Sequence, residues 1–180
     1  MKPKLVIVTG NPLKFREISL KLSEFFDCEQ KTLDGYFEIQ GTSEEIIRHK
    51  LEEAYRRFQE PVLVDDTSLH FAALGGFPGP YIRYFFAAMK PWEMGEKFEG
   101  TGIKIVCHLG LCRAPGDILF GEGSVEGTVI KPATHDDKGT EFDLFAQLEG
   151  TDKPMIEFTP EEKNRFSHRG RALDDLLGKL

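Results

Sequence analysis

The sequence predicts an α/β domain. Leu5-Val6-Ile7-Val8 is a short apolar run rich in β-branched residues, followed by a turn and then by apolar residues at helical spacing. A capped amphipathic segment opening at Thr42 leads into a second buried run, Val62-Leu63-Val64. Strand, helix and strand in this order form a sheet with helices packed on it. The bulk numbers agree: 180 residues, 40% of them hydrophobic, are enough to enclose the core of a single domain spanning 1–180.

Each element has its own signal. Thr9-Gly10-Asn11-Pro12 is a turn, after which Phe15, Ile18, Leu22 and Phe25 recur at three- and four-residue steps on one helix face. Residues 28–33 read as a weaker strand. Thr42 with Glu45 is a capping box, and Ile47, Leu51, Ala54 and Phe58 form the apolar face of the helix it opens. The strand from Pro61 is expected to end at Asp65-Asp66-Thr67. A rigid loop, Gly75-Gly76-Phe77-Pro78-Gly79-Pro80, precedes an apolar helix over 81–89. Its Tyr84-Phe85-Phe86 run reads as core, with a dimer surface as the alternative. Ile103, Ile105, Cys107 and Leu109 alternate with Lys104 and His108, so 102–130 reads as a β-ribbon interrupted at Gly121 and Gly123. Thr159, Pro160 and Glu162 make a second capping box, and a last helix covers 167–177.

Composition narrows the function. A net charge of −7 argues against a nucleic-acid polymer or a membrane surface as partner, since both need broad basic patches. Three cysteines with no C-x-x-C spacing point to a reducing, cytoplasmic setting. The four-residue run Leu5 to Val8 is too short for a signal core or a membrane span.

Against this acidic background, Lys163, Asn164, Ser167, His168 and Arg169 crowd cationic and polar donors into seven residues, the composition of an anion site. Thr9-Gly10-Asn11 leaves a buried strand and enters a helix, where strand ends and helix N-termini receive phosphates, and Lys14 falls in the first turn. An ordinary βα turn with a surface lysine fits that segment equally well. Asp65-Asp66 supplies hard oxygens for a divalent cation. Side chains alternate along a strand, so one of the two is expected in the site and the other in a structural role; a helix cap is the competing reading. Glu38, before a Gln-Gly pair, reads by itself as a solvated loop acid, and Lys50 as a snorkelling lysine at the edge of an apolar face. His168 alone reads as a structural hydrogen-bonder, raised in interest by Lys163 and Arg169.

Taken together, these segments resemble the inosine triphosphate pyrophosphatases, which hydrolyse non-canonical purine nucleoside triphosphates. The resemblance is carried by T-G-N-x-x-K (Thr9 to Lys14), E-x-Q-G (Glu38 to Gly41), V-D-D-T (Val64 to Thr67), A-L-G-G-F-P-G-P-Y-I (Ala73 to Ile82) and E-K-N-x-x-S-H-R-x-R-A-L (Glu162 to Leu173). It implies an elongated two-lobed α/β domain with a central mixed sheet flanked by helices and a cleft between the lobes. It also implies a homodimer, a Mg²⁺ or Mn²⁺ cofactor, and cleavage of ITP, dITP and XTP to monophosphate and pyrophosphate. Carried over, Thr9, Gly10, Asn11, Lys14 and Lys50 hold the triphosphate. Glu38 and Asp66 serve the metal, Asp66 and Lys14 are catalytic, and Thr67 contacts substrate. Lys163, His168 and Arg169 frame the base. Two positions depart from the pattern. Glu141-Phe142-Asp143-Leu144 stands where the family usually has G-W-D-P, leaving Phe142 and Asp143 as base contacts. Arg83 follows Tyr81-Ile82 where the family often has another residue, and it is a candidate phosphate ligand. A related pyrophosphatase of altered base preference, and a nucleotide binder without turnover, are the alternatives.

Overall fold

A computed structural model describes residues 1–135 and 141–180. In chain order the elements are β1 (Lys4–Val8), α1 (Pro12–Leu22), β2 (Asp27–Lys31), α2 (Ser43–Phe58), β3 (Val62–Phe71), β4 (Pro78–Gly79), α3 (Ile82–Ala88) and α4 (Pro91–Lys97). They continue with β5 (Gly102–Ala114), β6 (Asp117–Val129), β7 (Ala146–Leu148), α5 (Pro160–Phe166) and α6 (His168–Leu177). The sheet is mixed, in the order β2-β1-β3-β5-β6-β7, with β4 pairing on β3. β1 runs parallel to both β2 and β3, and every later pairing is antiparallel.

The local signals act as the sequence predicts. Asn11 caps α1, with its Oδ1 accepting from Leu13 N at 2.9 Å and Lys14 N at 3.4 Å. Both capping boxes form, Thr42 with Glu45 and Thr159 with Glu162. Phe25 lies beyond the end of α1 and is exposed, and β2 is displaced to Asp27–Lys31. α4 carries no strong apolar period and was not foreseen.

Apolar burial divides into two ends. At one end, Leu69, Phe71, Ile103, Ile105, Val125 and Phe145 form a core onto which Phe85 and Phe86 of α3 pack. Tyr84 of the same aromatic run is exposed. At the other end the sheet is covered on both faces. α1 and α6 cover Leu5, Ile7, Leu63 and Leu109, and α2 covers Val6, Val8, Val62 and Val64.

Two expectations are corrected. β3 does not end at Asp65 but continues to Phe71, because β5 pairs with it without a break from Val62↔Cys112 to Phe71↔Ile103. What stops there is β1, whose register with β3 closes at Val8↔Val64, so the sheet opens beside Asp65 and Asp66. Gly121 and Gly123 do not interrupt β6; they let α6 lie directly on it. A Cβ at Gly123 would stand 2.2 Å from His168 O and 2.3 Å from Ala172 N, and one at Gly121 2.5 Å from Ala172 O. Backbone cannot yield as a side chain can, so Gly123→Ala is expected to lift the start of α6 and cost about 1–3 kcal/mol in urea unfolding. A loss below about 0.5 kcal/mol would contradict this close approach.

Candidate active site

The opening beside β1 is a cleft of 520 Å³ lined by Thr9, Gly10, Asn11, Lys14, Glu38, Lys50, Asp65, Asp66, Thr67, Arg83 and Phe142, among others. Eleven of the fifteen residues singled out from the sequence therefore share one cavity, drawn from six separate stretches of chain. Asp143, Lys163, His168 and Arg169 are the rest of the constellation; Asp143, His168 and Arg169 are at most 2% exposed, and none of these four lines the cleft.

The alternation of β3 separates the two carboxylates. Asp65 faces α1 and α6. Its Oδ2 lies 2.9 Å from Lys14 Nζ and 3.5 Å from Arg169 Nη2. Burial opposes its ionisation, but Lys14, Arg169 and Lys50 outweigh burial and hold the carboxyl well below the usual range. Asp66 takes the opposite face, and its Oδ2 is buried without a hydrogen-bond partner. Burial pushes its carboxyl up to about 6; Lys50 opposes the rise, while Glu38 and Asp65 add to it. Thr67 Oγ1 is likewise buried without a partner.

Lys50 does not snorkel to solvent. Its Nζ donates to Asp65 O at 2.8 Å, which fixes a positive charge at the cleft beside β3. The helix-end amides of Leu13 and Lys14 are engaged by the Asn11 cap, so the turn offers an anion the Lys14 side chain and the dipole of α1 more than free N–H groups. Arg83 is exposed on α3 and lines the same cleft.

The remaining residues form a buried ionic network. Glu17, 4% exposed, pairs with Arg169 and lies 3.2 Å from Lys163, and Lys163 also pairs with Asp143. Burial opposes the positive charge of Lys163, but Asp143 and Glu17 overcome it and raise its pKa. His168 is neutral: burial, then the Arg169 charge, drive its pKa well below the ordinary value. Both of its ring nitrogens, with Nε and Nη2 of Arg169, have no hydrogen-bond partner among the described residues. Buried polar groups without hydrogen-bond partners are costly, so these atoms stand out from the rest of the network. Phe142 joins the two regions. It lines the cleft, and its ring meets His168 edge-on at 5.4 Å and 65°. It is a core residue in this arrangement, 4% exposed.

Glu17 was missed in the sequence, and a signal for it exists. Lys14, Glu17 and Lys21 are spaced i, i+3, i+7, a polar stripe along an otherwise amphipathic helix. Tyr36, Ile82 and Phe86 also line the cleft; Ile82 closes the Ala73 to Ile82 segment and Phe86 the aromatic run of α3, but the sequence reading gave none of the three a site role.

Comparison with known proteins places this arrangement. The sequence profile of the Ham1 family matches residues 5–179. An inosine triphosphate pyrophosphatase of Emericella nidulans is 38% identical over 171 residues, covering 92% of this chain and 90% of the relative. One from Scheffersomyces stipitis is 35% identical over 187 residues, covering 96% and 95%. Among solved structures, a HAM1 protein from Coxiella burnetii superposes with a TM-score of 0.78 at 24% identity over the full length of both chains. A nucleoside-triphosphatase, dITP/XTP pyrophosphatase, from Mycobacterium abscessus gives 0.63 at 26% identity, covering 97% of this chain and 98% of that one. With a profile match over nearly its whole length and relatives above 30% identity, the chain belongs to the Ham1 family.

Proposed function

We propose that the protein hydrolyses non-canonical purine nucleoside triphosphates (ITP, dITP and XTP) to the monophosphate and pyrophosphate, and so clears them from the nucleotide pool. The observation that carries this reading is Asp66, a buried carboxylate with a raised pKa and an unpartnered oxygen, facing a cleft that also holds Lys14, Lys50 and Thr9-Gly10-Asn11. The names of the relatives support the substrate class.

In this reading Thr9, Gly10, Asn11, Lys14, Lys50 and Arg83 hold the triphosphate, and Thr67 contacts it. Asp66 takes the proton from the attacking water, and a carboxylate with a pKa near the working pH suits that task. Glu38 and Asp66 offer only oxygen, and no group of three or more His, Cys, Asp or Glu able to hold a metal occurs among the described residues. This donor set fits Mg²⁺ or Mn²⁺ held by one or two carboxylates together with phosphate oxygens. When bound, the ion supplies positive charge to the phosphoryl oxygens. Lys14 and Lys50 neutralise charge growing on the departing pyrophosphate.

The base end falls to Lys163, His168, Arg169, Asp143 and Phe142. A neutral imidazole offers one donor and one acceptor, and Arg169 offers unused N–H groups. A six-position oxygen accepts such donors, whereas the amino group of adenine leaves them unpaired. That difference is worth on the order of 10²-fold or more in kcat/KM. The expected outcome of pyrophosphate-release assays with Mg²⁺ is therefore a kcat/KM for ITP at least about 10² times that for ATP. Equal values would point to a pyrophosphatase of altered base preference, and the smaller ring at Phe142 is the feature that favours this second reading. No helix is long and apolar enough to cross a membrane among the described residues. A cytoplasmic homodimer completes the proposal, with exposed Phe77, Tyr81 and Tyr84 as a surface for the second copy.

A further inference from the structure

We propose that Lys21, which does not line the cleft, is a positioning residue for base recognition. The polar stripe of α1 ends at Lys21, in the last turn of the helix. Its Nζ donates to Gly170 O at 3.0 Å and to Asn164 O at 3.4 Å, and pairs with Asp174 at 2.7 Å. These contacts span the elbow between α5 and α6. Asn164 O belongs to the last turn of α5, where helix carbonyls lack an intrahelical partner. Gly170 O belongs to the first turn of α6.

The elbow is unusually close. A Cβ on Gly170 would stand 2.2 Å from Asn164 O, so only glycine lets the two helices meet there. Ser167 serves as the end of α5 and, with its side chain accepting from Gly170 N, as the cap of α6. The backbone of α6 therefore lies close against the Asn164 carbonyl, and the Lys21 ammonium bridges that carbonyl to the one of Gly170. On either side of the elbow stand Lys163, and His168 with Arg169. Their spacing is fixed by the angle between α5 and α6, and Lys21 pins that angle to α1. The same helix holds Lys14 against Asp65 and Glu17 against Arg169, so α1 sets both ends of the substrate site from one rigid element. Among the described residues, none of the three groups that hold the Lys21 ammonium belongs to a residue lining the cleft.

The kinetic part of this inference rests on the proposed function. In Lys21→Ala, KM for ITP is expected to rise roughly tenfold while kcat stays within about twofold, because base placement is loosened and the phosphate chemistry is not. Lys21→Arg, which keeps the charge and donors, is expected to restore KM. Amide hydrogen exchange over residues 164–171 is expected to quicken in the alanine variant, with exchange in β3 and β5 unchanged. An unchanged KM, or unchanged exchange at the elbow, overturns the inference, as does a fall in kcat alone. Wild-type protein that releases no pyrophosphate from ITP overturns the proposed function instead. The exchange comparison then decides whether Lys21 holds the elbow.

Discussion

Asp66→Asn is expected to lower pyrophosphate release from ITP on the order of 10³-fold while leaving the fold as stable as before, or more so. The substitution is nearly isosteric and removes the base, a change that costs 10²–10⁴-fold where a side chain accepts the proton in the transition state. Stability moves the other way because burial disfavours the charged form of Asp66, which pushes its carboxyl up to about 6. A folded-state pKa raised above the unfolded value means that ionised Asp66 weakens the fold at neutral pH. That penalty shrinks as pH falls below about 6 and is gone only below the ordinary value of 3.8, or when the charge is deleted. The same sign applies to activity. The base must be deprotonated, so kcat/KM of the wild type is expected to climb with pH and level off once Asp66 is ionised, at a lower pH where a divalent cation beside it favours the carboxylate. The residual activity of the asparagine variant should lack that acid limb. A variant with near-normal turnover, or one that melts well below the wild type, would remove Asp66 from its assigned role.

Glu17→Ala is the substitution expected to cost most stability. Glu17 is the carboxylate shared by two buried cations, Arg169 and Lys163. Without it, Arg169 keeps Asp65 at 3.5 Å, and Asp65 is already engaged by Lys14. Lys163 keeps Asp143. Removing one partner from a buried ion network leaves charge uncompensated and costs about 3–5 kcal/mol. For a chain of this length that is a fall of roughly 6–20 °C in melting temperature. The surviving protein is expected to discriminate ITP from ATP less well, since Arg169 and Lys163 lose the group that orients them. A stability loss under about 1 kcal/mol would show that solvent reaches the network and that Glu17 does not organise it.

These two residues also mark what sequence reasoning could reach. That Asp65 and Asp66 would take opposite faces was legible because strand alternation forces adjacent carboxylates apart, and the structure does divide them in that way; which of the two would carry the chemistry was not legible from alternation. The caps at Asn11, Thr42 and Thr159 were legible because a cap is a contact between residues three or fewer apart. Glu17 was not, since its partners lie some 150 residues away and its own surroundings read as one face of an amphipathic helix. The length of β3 was misjudged for a related reason. Asp65-Asp66-Thr67 looks like a strand end in isolation, but β5 supplies a continuous antiparallel partner that no local pattern announces. The glycines of β6 looked like interruptions because the helix that needs their empty space comes some 45 residues later. Lys50 was placed at the edge of its helix face correctly, but the carbonyl that holds it belongs to β3.

Hydrolysis of ITP in ¹⁸O-enriched water, followed by mass analysis of both products, tests the account most directly. Water delivered by Asp66 to the α-phosphorus leaves one ¹⁸O in inosine monophosphate and none in pyrophosphate, and that is the predicted result. Label in the pyrophosphate, or release of inosine diphosphate and orthophosphate, would contradict it.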